Sequence, residues 1–135
     1  MKRWLLLSLS ITALSGCSTF NSCDDKGGGG WWIFRPNPAE QKLDKGVKEY
    51  EEGNYIASMN ALQGVLEAKL AEKGDKVSAY KYLAFIHCIS SREKLCREYF
   101  KKALALDPNF DLTPAEAGHP LWGPAFRSVK GKPAK

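Results

Sequence analysis

The side chains of this 135-residue chain that could do chemistry are four thiols and two imidazoles: Cys17, Cys23, Cys88, Cys96, His87 and His119. Cys88 and Cys96 fall at the end of one helical pattern and the start of the next, so they flank a tight turn. In an oxidising compartment they can form a disulfide, and in a reducing one they serve as two small buried thiols. Zinc or another metal ion would need four ligands, and His87 with Cys88 and Cys96 supplies three. Glu116 and His119 have helical spacing, but Gly118 ends that helix between them. Gly27 to Gly30 follows no strand and lacks the Lys-Ser/Thr of a phosphate loop. No nucleophile with a base and no pair of acids in a cleft stands out. The expectation is a chain that is not an enzyme and has no cofactor, no metal and no small-molecule substrate.

Cys17 has a different chemistry. Residues 1–16 have the three parts of an export signal: Lys2 and Arg3, an apolar run from Trp4 to Leu14, and small residues before the cut. The run is well short of the roughly 20 residues that span a bilayer. Leu14-Ser15-Gly16-Cys17 resembles the lipobox of bacterial lipoproteins, in which the cysteine thiol receives diacylglycerol, the leader is cleaved before it, and the new amino group is acylated. Ser18 follows; in the lipoproteins this segment resembles, Ser at that place permits transfer to the outer membrane. The expected mature chain starts at Cys17, on the periplasmic face of the outer membrane of a Gram-negative cell. Several acyl chains, palmitate among them, anchor firmly, since each buried CH₂ contributes about 0.8 kcal/mol.

Charge excludes one further class. Lys and Arg number 20 against 15 Asp and Glu; without Lys2 and Arg3 the balance is 18 against 15, or +3, spread along the chain. That is too weak to argue for nucleic acid.

The elements that must position these groups begin with a tether. Ser18 to Gly30 is polar and ends in four glycines, a linker composition. Trp31-Trp32-Ile33-Phe34 then brings three aromatics in four residues. Three roles are open to Trp31, Trp32 and Phe34: docking a partner, lying at the lipid interface, or folding back on an apolar groove of the same domain.

From Asn37 the apolar period is helical. Asn37-Pro38-Ala39-Glu40 reads as a cap, and Leu43, Val47 and Tyr50 form one stripe. After Gly53-Asn54, Tyr55, Met59, Leu62, Leu66 and Leu70 form a second stripe, expected to end at Gly74. Val77, Tyr80, Leu83, Ala84 and His87 make a third helix. Ser90 to Glu93 turns the chain into a fourth, carrying Leu95, Tyr99, Phe100, Ala103 and Leu104 and stopped by Asp107-Pro108. The two hairpins align, with small residues (Gly46 and Ser58, Ala84 and Cys96) where paired helices approach. This resembles the tetratricopeptide repeat, whose unit is about 34 residues; the 38-residue offset from Ser58 to Cys96 places one extra turn near 68–74. Such repeats bind proteins in a concave groove. Tyr50, Tyr55 and Tyr80 are the candidate contacts.

Two units are fewer than the roughly three that usually cover their own end faces, so the C-terminal segment is expected to shield the fourth helix. Thr113-Pro114-Ala115-Glu116 repeats the capping logic, and Leu121, Trp122 and Phe126 demand burial, as a lid or as a docking surface. The run Leu112-Thr113-Pro114-Ala115-Glu116-Ala117-Gly118-His119-Pro120-Leu121-Trp122-Gly123-Pro124, after a lipobox, a short tether and a repeat ending Ala103 to Phe110, resembles the TssQ family of type VI secretion-associated lipoproteins. The resemblance implies an accessory of a contractile secretion machine that meets other envelope proteins in the periplasm. A pilot or assembly lipoprotein for another outer-membrane complex is the alternative.

The expected organisation is all-α: leader 1–16, lipidated Cys17 and tether 17–37, two tetratricopeptide-like hairpins 38–108, capping segment 109–130 and tail 131–135.

Overall fold

A computed structural model of the chain describes residues 37–131. Cys17, Cys23, Trp31, Trp32 and Phe34 lie outside the described residues. Among those described, 74% are helical and none is in a strand. The elements are α1 (Pro38–Glu51), α2 (Tyr55–Glu67), α3 (Lys73–Ile89), α4 (Glu93–Leu106), α5 (Pro114–Ala117) and α6 (Gly123–Lys130). No described helix is long and apolar enough to cross a membrane.

Local chemistry sets the helix ends. Asn37 Oδ1 accepts hydrogen bonds from the Ala39 and Glu40 amides at 2.8 and 2.9 Å, and Pro38 occupies the first turn, where no amide donor is needed. At its other end α1 closes in a Schellman turn: the Gly53 amide donates to the Tyr50 carbonyl and that of Asn54 to the Glu49 carbonyl, with Gly53 at φ 80°. The end of α3 repeats this bond for bond. There the Ser91 amide donates to Cys88 and that of Arg92 to His87, but Ser91, at φ 58°, stands where α1 has glycine.

The same 38-residue offset runs through the core. Ala39 and Val77, Gly46 and Ala84, Ser58 and Cys96, Leu62 and Phe100, and Val65 and Ala103 are all buried. Helix α1 pairs with α2 and α3 with α4, while α2 and α1 both pack on α3. Gly46 shows why small residues are needed: a Cβ there would sit 2.7 Å from Leu62 Cδ2. The close approach lets Ser58 Oγ donate to the Gly46 carbonyl at 2.7 Å, which satisfies a wholly buried hydroxyl.

The α2–α3 junction differs from the sequence expectation. Helix α2 stops at Glu67, not Gly74, because Ala68 turns to extended backbone (ψ 126°). Leu70 is therefore outside the helix and 69% exposed. The chain re-enters a helix at Glu72, whose amide is held by the Asp75 carboxylate, and this puts Gly74 inside α3. Leu95 is also exposed, since α4 buries Cys96, Phe100 and Ala103 instead.

The C-terminal segment covers the second hairpin. Thr113 and Glu116 form the expected reciprocal cap of α5. The prolines allow one more helix, because Pro124 falls in the first turn of α6. Phe126 meets Phe100 of α4 edge-on at 5.1 Å, and Trp122 stacks on Phe85 of α3 at 4.4 Å. Leu121 is the exception to the expected burial, at 50% exposed. Its amide donates to His119 Nδ1 across the turn, and the turn faces Trp122 inward and Leu121 outward.

Candidate functional site

Helices α1 and α3 run side by side in the same direction, which brings the last turn of α1 against the second half of α3. Tyr50 meets Tyr82 edge-on at 5.2 Å, and Tyr55 at 6.0 Å and Phe85 at 6.2 Å in tilted arrangements. Tyr50, Tyr55 and Tyr82 are half-buried, so each offers part of its ring to a partner. Aromatic rings in such offset and edge geometries give a large, rigid contact area at low entropic cost.

A partly buried ion pair borders this aromatic surface. Lys81 Nζ is 2.7 Å from Glu116 Oε1, with the two side chains 17% and 21% exposed. The ammonium also sits 4.7 Å from the centroid of Tyr82, a cation–π contact. Burial alone would raise the Glu116 pKa; the hydrogen bonds from Lys81 and Thr113 outweigh it and hold the carboxyl below its ordinary range. Tyr50 shifts the other way. Burial first, then the nearby Tyr55, Tyr82 and Glu116, push its phenol up to about 12. At neutral pH Tyr50 is therefore an uncharged hydroxyl that can donate or accept a hydrogen bond. The surface suits recognition of a chain segment by ring contact and hydrogen bonding.

Tyr80 is not part of this surface. Its ring lies 6.1 Å from Tyr99 of α4, with Lys102 over both. Tyr82, Lys81 and Glu116 take the place expected of it. A single helical stripe through Val77, Tyr80, Leu83 and His87 passes over Tyr82, but α3 is a central helix with buried residues nearly all round. The continuous run Tyr82-Leu83-Ala84-Phe85-Ile86-His87-Cys88-Ile89 is the signal for that.

The thiol pair is bonded. Cys88 and Cys96 form a disulfide across the α3–α4 turn, with Cα atoms 5.2 Å apart. Cys96 occupies in the second hairpin the place of Ser58 in the first, and Cys88 the place of Tyr50. One hairpin is thus fastened covalently at its turn, while the other keeps a tyrosine there for its surface. His87, next to the bridge, is 4% exposed, stacks on Tyr99 at 5.0 Å and leaves Nδ1 without a partner. His119 lies flat on Trp122 with centroids 3.3 Å apart. The two imidazoles are thus engaged with different rings, and no group of three His, Cys, Asp or Glu among the described residues is placed to hold a metal ion.

Comparison with protein-family models, with curated proteins and with solved structures finds no match to this chain.

Proposed function

We propose that the chain is an outer-membrane-anchored lipoprotein whose helical body is an adaptor between proteins, serving the type VI secretion system as an accessory. The observation that carries the adaptor reading is the half-buried surface of Tyr50, Tyr55 and Tyr82, contributed by α1, α2 and α3 and bordered by the Lys81–Glu116 pair. Rigid helices keep these rings in register, so a partner segment binds without first paying to order them. Lipid on Cys17 would hold the body at the membrane, and the resemblance of the run from Pro114 to Pro124 to TssQ lipoproteins supports the choice of machine. No step of chemistry is assigned to the domain.

The test is purification of the acylated protein from membranes of its own cell, with identification of what accompanies it. Envelope or sheath components of the secretion machine are expected. A secretin or a β-barrel assembly in their place would make the protein a pilot for another complex. Cys17→Ala is expected to release the protein into the soluble periplasm, and retention in the membrane would count against the anchor.

A further inference from the structure

The two hairpin turns lie at the same end of the helical layer, as the contacts of Tyr50 with Tyr82 and Phe85 require. They occupy equivalent places in the two hairpins, yet their charges are opposite. The α1–α2 corner carries Glu49, Glu51 and Glu52; the α3–α4 corner carries Arg92 and Lys94. Lys48 pairs with Glu52, and Arg97 with Glu93. No ion pair among the described residues engages Glu49, Glu51, Arg92 or Lys94.

Each corner joins the C-terminus of one helix to the N-terminus of the next, so Glu49 and Glu51 oppose the dipole of α1 and Lys94 that of α4, while Arg92, just past the end of α3, suits the dipole there. Each corner also exposes an aliphatic side chain: Ile56, 80% exposed, beside a shallow depression lined by Glu49, Asn54, Tyr55 and Asn60, and Leu95, 38% exposed, beside Lys94.

We propose that the acidic α1–α2 corner of one copy docks the basic α3–α4 corner of a second copy, Ile56 meeting Leu95 within a ring of opposite charges. The occupant of the first corner is thus another molecule of this chain. The contact is heterologous, using two different patches, so each docked pair keeps one free corner of each kind and the association extends into a row or closes into a ring. Because both corners are at one end of the body, successive copies can stand the same way up. The inference does not depend on which secretion machine the protein serves.

Sedimentation velocity of the full acylated protein in detergent tests it, at about 0.1 M and about 1 M salt, where the screening length falls from ~10 to ~3 Å. Concentration-dependent association is expected at the lower salt and its loss at the higher. Glu49→Lys with Glu51→Lys, and separately Arg92→Glu with Lys94→Glu, should each weaken association at least about ten-fold. None of the four side chains is buried or ion-paired, so the folds should persist, with unchanged helical circular dichroism as the check. Mixing the two variants should restore association. A wild-type protein that stays monomeric, association equal in both salts, or reversals without effect would overturn the proposal. If the wild type is monomeric and the acidic-corner reversal instead removes a co-purifying protein, the occupant is that protein and self-association is refuted.

Discussion

Replacing Trp122 by alanine should show how far the second hairpin depends on its cover. The indole is 8% exposed, stacked on Phe85 at 4.4 Å and on His119 at 3.3 Å, in one cluster with Phe100, Phe126 and the disulfide. Truncating a buried aromatic costs about 3–5 kcal/mol. Part is recovered, because the indole Nε1 is buried without a protein acceptor and its removal relieves that penalty. A net loss of about 3 kcal/mol corresponds to about 12–24 °C in melting temperature for a domain of this size. Leu121→Ala is the control: it changes a neighbour in the same turn that is 50% exposed and should cost under about 1 kcal/mol. Thermal unfolding followed by circular dichroism reads both. Equal melting shifts for the two variants would refute the packing argument, and unchanged melting of Trp122→Ala with lost partner binding would reassign the residue to docking.

Ser91→Gly should stabilise by about 0.5–1 kcal/mol, since a non-glycine residue holds the left-handed position in the α3–α4 turn; a fall in melting temperature would contradict it. Replacing Cys88 and Cys96 together by serine should cost about 2.5 kcal/mol on the chain-entropy account of a bridge with separation 8, and an unchanged melting temperature would mean the bridge adds nothing. His87 gives a pH test. Burial first, and then the charge of Arg92, hold its pKa below the ordinary 6.5, so the fold favours neutral imidazole. Its contribution is complete above about pH 6.5 and is lost as pH falls through the lowered value. Denaturant midpoints measured from about pH 7 to 5 should fall for the wild type and flatten for His87→Gln; parallel curves would remove His87 from the account.

The helical class, the two hairpins and their 38-residue repeat were legible because small residues recur at the close approaches and the caps are explicit in Asn37 and Thr113. The C-terminal end of α2 and the exposure of Leu70 and Leu95 were not, because apolar spacing alone does not say where the backbone turns to extended form. Tyr82 escaped for a related reason: stripe reading assumes one buried face, and α3 has neighbours on several sides. Glu116 read as a cap and is one, yet the same carboxylate closes a 35-residue span to Lys81 that no local pattern encodes. The disulfide geometry needed the turn itself.

The adaptor reading is tested most directly at its tyrosines. Acylated wild-type protein and the Tyr55→Ala/Tyr82→Ala variant, purified in parallel from outer membranes, should differ in one respect: the wild type brings down a type VI secretion envelope component and the variant does not, while both retain helical circular dichroism. Equal recovery of that component by the two proteins would contradict the account.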